Sequence, residues 1–319
     1  MSTRTKRTTR KPQILVVGSS NTDMIIKLAR IPRPGETVLG GEFLTAAGGK
    51  GANQAVSAAR AGGSVTFIAR LGKDVFGDNA IERFIDDGID VDPITRDPEE
   101  PSGAALIFVA RDGENSIAVA PGANGRLSPA HLKKAKAAFA NVDTLLMQLE
   151  VPLETVLEAA KIASRAKVRI ILNPAPARPL PAQLLKMVSI LTPNETEAEA
   201  LTGIRVKGPS SISRAADHLL RRGVQGVVLT LGARGAFVAA GKLRQFVPGA
   251  KVKAVDCTAA GDVFYGALCV ALSEGRPLLE AVRFANAAAA ISVTRMGAQP
   301  SAPHRKEIER FMLNQLIRG

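Results

Sequence analysis

The chain of 319 residues is 46% hydrophobic, 4% aromatic and 22% charged, with a formal net charge of +13. That apolar content supports a packed core and excludes a globally disordered chain. No apolar run reaches the roughly 18–20 residues of a membrane span, so a membrane partner is excluded, and the length fits one large α/β domain with an appendage or two domains.

In chain order, Ile14–Gly18 (ILVVG) is a short apolar run closed by glycine, as a buried strand is. Thr22–Leu28 partly alternates, and after the turn-like IPRPGE a further strand spans Thr37–Thr45. Gly49–Ala61 reads as a helix opened by glycines, Val65–Gly72 as a strand and Asp78–Asp87 as a helix. SGAALIFVA and NSIAVAPGAN are strands separated by the turn RDGE. A helix over Pro129–Phe139, strand TLLMQLE, a helix from about Leu153 and strand RIILNPA follow. Next come the short run SILTPN, helices Glu195–Leu201 and Ile212–Arg222, and strand GVVLTLG. The last quarter is mostly helical, over Gly261–Ser273, Leu278–Arg295 and Pro303–Ile317.

This alternation predicts an α/β fold, a mainly parallel central sheet with helices on both faces. The domain reading is one α/β unit over 12–319. Strands at about 22–46 and 102–120 lack intervening helices and form a small extra sheet inserted twice. Residues 1–11 are a basic, disordered tail carrying Arg4, Lys6, Arg7, Arg10 and Lys11 without an acid. The net charge has two readings, a solvated basic surface or attraction to an anionic substrate or polyanion. With no Trp and a single Tyr, stacking platforms are lacking and a dedicated nucleic-acid binder is disfavoured. Cys257 and Cys269 are too few for a disulfide framework, and the opening residues hold no apolar signal segment, so the expected compartment is the cytoplasm. His131, His218 and His304 lie scattered in helical segments as surface histidines, with no zinc pattern.

Five stretches suggest chemistry. In DCTAAGD, Asp256 to Asp262, a helix beginning at Gly261 offers unpaired N–H groups behind the nearly bare Ala259, Ala260 and Gly261. Such a pocket suits a phosphoryl group, and Asp262 beside it could accept a proton from an attacking hydroxyl. The alternative is that Asp262 only favours the helix start. GGKGANQA, Gly48–Ala55, is a second glycine-rich helix start; Gly51 follows Lys50 where a Walker A loop has Ser or Thr. Its glycines would let a sugar or phosphate approach, or they only open a helix. In GSSNTD, Asn21 and Asp23 face one side of an extended segment and could grip hydroxyls. In TPNETEAE, Asn194 and Glu197 are one helical turn apart and suit Mg²⁺, through water, or else cap a surface helix. TLGARG is a tight turn after an apolar strand that could receive a nucleotide.

Taken in order, GSSNTD, GGKGANQA, MQLE, NPAPAR, TPNETEAE, TLGARG, DCTAAGD and RMGAQPS resemble the ribokinase family of sugar kinases, from about Ile14 to the C-terminus. The resemblance implies transfer of the ATP γ-phosphate to a sugar hydroxyl, here the 5-hydroxyl of ribose. It implies Asp262 as base and Ala259, Ala260 and Gly261 as anion hole. Asn21, Asp23, Gly49, Lys50, Gly51, Ala52, Asn53, Glu150 and Asp262 would bind the sugar. Asn194, Glu197, Thr230, Leu231, Gly232, Ala233, Arg234, Gly235, Gly261, Asp262 and Asn286 would meet the nucleotide, Glu197 and Asn194 organising hydrated Mg²⁺. An activating K⁺ would be held, mostly by backbone carbonyls, at Asp256, Thr258, Ser292, Arg295, Gly297 and Ser301. The small sheet would act as a lid and pair with a second copy to give a homodimer. Two positions depart from the family: Asn286 stands where His is frequent, and Tyr265 where Asn is common, a bulkier group expected to alter the rim of the site. Kinases for deoxyribose, another sugar or a nucleoside are the alternatives within the enzyme class. Outside it, the alternative is a sugar-sensing or nucleic-acid-associated protein on the same fold.

Overall fold

The computed structural model describes residues 10–112 and 114–318, so most of the basic tail and the glycine of the RDGE turn lie outside the described residues. Arg10, placed in the tail by its charge, pairs with Asp143 at 2.8 Å. In chain order the strands are β1 (Gln13–Val17), β2 (Asn21–Leu28), β3 (Glu42–Gly48), β4 (Ser64–Ile68), β5 (Arg70–Gly72), β6 (Thr95–Asp97), β7 (Gly103–Ala110), β8 (Asn115–Ala120), β9 (Thr144–Met147), β10 (Arg169–Leu172), β11 (Ile190–Leu191), β12 (Gly226–Thr230), β13 (Gly235–Ala240) and β14 (Leu243–Pro248). The helices are α1 (Lys50–Arg60), α2 (Val75–Asp86), α3 (Pro129–Lys134), α4 (Leu153–Arg165), α5 (Ala182–Met187), α6 (Glu195–Thr202), α7 (Pro209–Arg221), α8 (Ala260–Ser273), α9 (Leu278–Ser292) and α10 (Arg305–Arg318).

Eight strands form the central sheet in the order β14-β13-β12-β11-β10-β9-β1-β4. From β4 to β12 the pairing is parallel; β13 and β14 close the far edge as an antiparallel hairpin. Past their first residues β1, β9 and β10 are apolar because helices cover both faces. Alternation divides each strand between two cores: Ile14 and Val16 of β1 join the cluster under α1, α8 and α9, while Leu15 and Val17 join the one under α4 to α7. The chain leaves β1 toward β4 on one side and later returns to β9 on the other. The carboxyl ends of β1 and β9 therefore flank a crevice at which strand order reverses, the usual ligand position in such sheets.

The segments expected to form a small extra sheet do so, in the order β3-β2-β7-β8, with β2 parallel to β7 and the other pairs antiparallel. Register places Asn21 opposite both Gly48 and Gly103, and Ala104 opposite Ala120. All four strand ends that join the rest of the molecule thus lie along one rim.

Several boundaries differ from the sequence reading. The run Val65–Gly72 is not one strand: pairing with β1 ends at Ile68, and β5 instead pairs with β6 in a two-stranded sheet. The helix expected at Asp78 starts at Val75, because Asp74 caps it by accepting from Gly77 N at 2.8 Å. The strand expected over Thr37–Thr45 lies at Glu42–Gly48, set by its register with β2. The helix Pro129–Phe139 breaks after Lys134 into a short 3₁₀ turn. The hairpin β13–β14 and the short α5 are additions.

Candidate active site

Four segments meet at the crevice. After β1, Ser19 Oγ donates to Glu150 Oε2 at 2.5 Å, and Ser19's carbonyl accepts from Ala52 N at 2.8 Å. Lys50 N also donates to Glu150 Oε2, at 2.9 Å, so Glu150, just past β9, anchors the head of α1. The two glycines there have different tasks. Gly49, with φ of 87°, occupies the left-handed region that favours glycine. At Gly51 a Cβ would stand 2.5 Å from Ser19 N. The close approach that GGKG permits is, at Gly51, an approach to the chain's own backbone.

Opposite lies the rim of the small sheet. Asn124 Nδ2 donates to Asn21 Oδ1 at 2.8 Å and its Oδ1 accepts from Ser20 N at 2.9 Å, which fixes Asn21. The Asp23 carboxylate fits because Gly48 has no side chain; a Cβ there would lie 2.3 Å from Asp23 Oδ2.

The third segment is the head of α8. Ala259 takes φ of 56°, unusual for a residue with a Cβ, and turns the chain into the helix. The first N–H groups of any helix lack intrahelical acceptors. Here Thr258 and Gly261 are exposed, so this helix head opens outward and is not covered by protein. Asp262, in the first turn, is 6% exposed. Its Oδ2 accepts from Asn53 Nδ2 at 3.0 Å and its Oδ1 from Gln54 Nε2 at 2.8 Å. Burial pushes the Asp262 carboxyl up; Lys50 and the two amides oppose that. Asp23 is pushed up to about 6, first by burial and then by Glu150 and Asp262. Burial would lower the Lys50 ammonium, but Asp262, Glu150 and Glu197 together hold it above its ordinary value. The crevice therefore sets three carboxylates around one ammonium, with Asp23 beside two of them.

The fourth segment lies beyond β11. Asn194 caps α6 by accepting from Glu197 N at 2.8 Å, while Glu197 accepts from Asn194 N at 2.8 Å and Asn194 Nδ2 at 3.0 Å. Capping and burial coexist: Glu197 is 8% exposed, and burial raises its carboxyl despite Asn194 and Lys50. Thr230 pairs with Asn194 through a backbone bridge. In the turn after β12, Leu231 is buried, Gly232 and Gly235 have positive φ, and Arg234 pairs with Glu195 at 2.5 Å. Asn286 does not reach out freely; its amide donates to the carbonyls of Val247 and Pro248. Tyr265 is not on the rim. It is 4% exposed, its ring lies behind Gly261, and its hydroxyl is 3.4 Å from Thr230 Oγ1.

Beside the helix head, Asp256 Oδ1 accepts from Thr258 N and Oγ1 at 2.8 and 2.6 Å, and Oδ2 from Gly297 N at 2.8 Å. One carboxylate thus joins the loop before α8 to the segment that leaves α9 at Ser292 and carries Arg295 and Ser301. The histidines are not uniformly on the surface. His304 is exposed, but His131 and His218 are half-buried, and His131 Nδ1 accepts from Ser128 N at 3.1 Å. Residues that sequence reasoning gave no role are Gln54, Gln148, Asn173, Asn124 and Gln299. Their signal is faint but present: buried amides in runs of small or apolar residues, two of them inside MQLE and NPAPAR.

The comparisons with known proteins agree with this geometry. The model of the pfkB family carbohydrate kinases matches residues 11–305. The chain is 46% identical to a ribokinase of Haemophilus influenzae, over 94% of this chain and 98% of that one. The crystal structure of a ribokinase from Thermotoga maritima superposes with a TM-score of 0.87 at 42% identity, covering 94% of this chain and 99% of that one. An Arabidopsis thaliana ribokinase complexed with ribose and ATP superposes with a TM-score of 0.90 at 35% identity, covering 95% and 99%.

Proposed function

The chain belongs to the pfkB family of carbohydrate kinases, and from that premise we propose that it transfers the γ-phosphoryl group of ATP to the 5-hydroxyl of ribose. The observation that carries the reading is the Asp262 carboxylate, buried in the first turn of an open helix head and facing the crevice that Asn21, Asp23 and Lys50 share. Relatives that are ribokinases, one solved with ribose and ATP, support the same sugar and the same donor.

Ribose binds between α1 and the small sheet. Asn21, Asp23, Asn53 and Glu150 grip its hydroxyls, and Gly49, Gly51 and Ala52 leave room for the ring. Asp262 accepts the 5-hydroxyl proton as that oxygen attacks phosphorus, a contribution of about 10²–10⁴-fold. The N–H groups of Gly261 and Asp262, with that of Ala260 once it leaves its long 3.3 Å bond to Cys257 O, receive the charge on the transferring oxygens behind Ala259, and Lys50 adds a positive charge. The nucleotide lies along Thr230 to Gly235 toward Asn286, with Asn194 at the phosphates. The small sheet covers the sugar and keeps water from the phosphoryl group.

Mg²⁺ fits the donor set of Glu197 and Asn194 through its water shell. Both Glu197 oxygens already accept from Asn194, and each keeps a further acceptor site. Held there by Glu197 and Asn194 with ATP bound, the ion would supply positive charge to the phosphates. A K⁺ fits the loops that Asp256 fastens, since Asp256 Oδ2 accepts only from Gly297 N and keeps a further acceptor site beside the loop carbonyls. An ion held there would add positive charge beside the helix head. Cys257 and Cys269 are free thiols, in keeping with a cytoplasmic enzyme. No helix among the described residues is long and apolar enough to cross a membrane. The homodimer reading rests on apolar side chains exposed on the small sheet, Phe43, Ile117 and Val119.

A coupled assay of ADP release tests the reading with ribose, 2-deoxyribose and adenosine, with and without K⁺. Ribose gives the highest kcat/KM, and K⁺ raises it. Asp262→Asn binds ribose but loses at least about 10²-fold in kcat. Preference for adenosine, or a near-normal rate in that variant, overturns the assignment.

A further inference from the structure

Asp262 does not sit alone. Gln54, fully buried in the middle of α1, points its amide at it. Gln54 Nε2 donates to Asp262 Oδ1 at 2.8 Å and to Asn173 Oδ1 at 3.2 Å, and its Oε1 accepts from Gln148 Nε2 at 2.6 Å. Every polar atom of this side chain is therefore committed.

An amide can be turned end for end with little change in shape, so its direction must be set by its partners. Reversing Gln54 would aim its oxygen at the carboxylate and at the Asn173 oxygen, and its NH₂ at the NH₂ of Gln148. All three contacts would become repulsive. The neighbours are themselves oriented. Asn173 Nδ2 donates to Thr192 O at 3.2 Å, which turns its oxygen toward Gln54. On the other side of the carboxylate, Gln299 Nε2 donates to Asn53 Oδ1 at 3.3 Å, leaving Asn53 Nδ2 for Asp262. Gln148 closes the far end, its own direction set by Gln54. Among the described residues its Oε1 has no hydrogen-bond partner, and it lies where a Cβ on Gly18 would come within 2.1 Å. A buried acceptor without a donor is rare and calls for an explanation; here it follows from turning the Gln148 donor toward Gln54.

We propose that Gln54 is a positioning residue for phosphoryl transfer, its amide direction fixed by Asn173 and its oxygen satisfied by Gln148, so that the Asp262 carboxylate is held facing the sugar hydroxyl. The inference rests on the reading of Asp262 as the base. A packing role alone would need only the shape of Gln54, whereas positioning needs its donor.

The test compares Gln54→Met, Gln54→Glu, Gln148→Met and Asp262→Asn with wild type. It measures melting temperature, ribose affinity by calorimetry, and kcat and KM for ribose from pH 5 to 9. Gln54→Met keeps length without a donor, and kcat falls about 10–100-fold, the scale of a small misplacement, with ribose affinity near wild type. Its acid limb moves to higher pH because Asp262 loses a donor to its charged form. The other groups facing that carboxylate, Lys50, Glu150, Asp23, Glu197 and Tyr265, are unchanged in the variant. Gln54→Glu replaces the donor with an acceptor and loses at least as much. Gln148→Met leaves the contact with Asp262 but frees the amide to reverse, giving a smaller loss in the same direction. This variant decides the matter if those at residue 54 do not fold. Wild-type kcat and pH profile in the folded variants, with Asp262→Asn inactive, overturn the positioning role and leave the base reading standing. Activity in Asp262→Asn overturns the base reading instead.

Discussion

Asp23 shows how much of the site is decided by single side chains. Its carboxyl is raised from 3.8 to about 6 by burial and by Glu150 and Asp262. An acid with a raised native value binds more protons folded than unfolded between about pH 4 and 6. Its contribution to stability therefore falls as pH rises through that window and is fully unfavourable above it. Asp23→Asn at pH 7.5 raises the melting temperature by a few degrees, corresponding to about 1–2 kcal/mol after allowance for solvent screening. The same change weakens ribose binding, and in wild type ribose KM rises below about pH 6 as the carboxylate is protonated. A scanning calorimetry series with matched KM values checks both signs; a variant that is less stable at pH 7.5 contradicts the argument. At this scale the charged and glycine-flanked residues could be read from the chain, because their types narrow the chemistry. The amides Gln54, Gln148 and Asn124 could not, since an amide's role depends on which end faces which neighbour. Tyr265 was legible as a departure but not in burial: one turn after Gly261 it shares that face of α8, and its tertiary contact with Thr230, at the end of β12, is not in the local pattern.

Helix α1 meets α8 at Gly266, and this crossing sets the distance from Asp262 to Asn53 and Gln54. A Cβ at Gly266 would lie 2.7 Å from Ala58 N, Gln54 O and Ser57 Cβ. Ser57 Oγ donates to Val263 O at 2.9 Å in the same contact. Two helices with small residues at their closest point can thus bring a carboxylate and two amides together. Gly266→Ala forces them apart, costing about 1–3 kcal/mol as overpacking does and lowering kcat. Urea denaturation and initial rates measure the two effects, and an unchanged kcat would mean that the crossing does not set the site. The helix starts at Gly49 and Gly261 could be placed from sequence because glycine and alanine runs leave few other conformations. The hairpin β13–β14 was passed over because β13 opens with Gly235, β14 carries Arg244 and Gln245 and ends in Pro248, and the turn between them at Gly241 is weak. Its pairing with β12 comes from tertiary contacts that no local pattern contains.

The whole molecule divides into a closed body and an exposed sheet. Phe43 and Leu106, 65% and 49% exposed, lie on one face of the small sheet, and Ile117 and Val119, 56% and 55% exposed, on the other, apolar side chains of the kind that marks an interaction site. Light scattering of the wild type gives twice the mass of the chain, and Ile117→Lys with Val119→Lys shifts it toward the monomer; a monomeric wild type refutes this. The alternation of strands and helices made the closed body legible, since each parallel strand needs a crossover and each crossover here is a periodic helix. The lesser sheet was legible as segments without helices between them, but its strand order was not. The register of β2, β3, β7 and β8 has a mechanical consequence. Every passage of the chain into or out of that sheet occurs along one rim, at Asn21, Gly48, Gly103 and Ala120. A plate attached on one side only can tilt like a flap but cannot slide. Since Asn21 and Asp23 stand at or next to that hinge line, a small change in how they hold a guest is magnified at the far edge, some 25 Å away for eight extended residues at about 3.3 Å each.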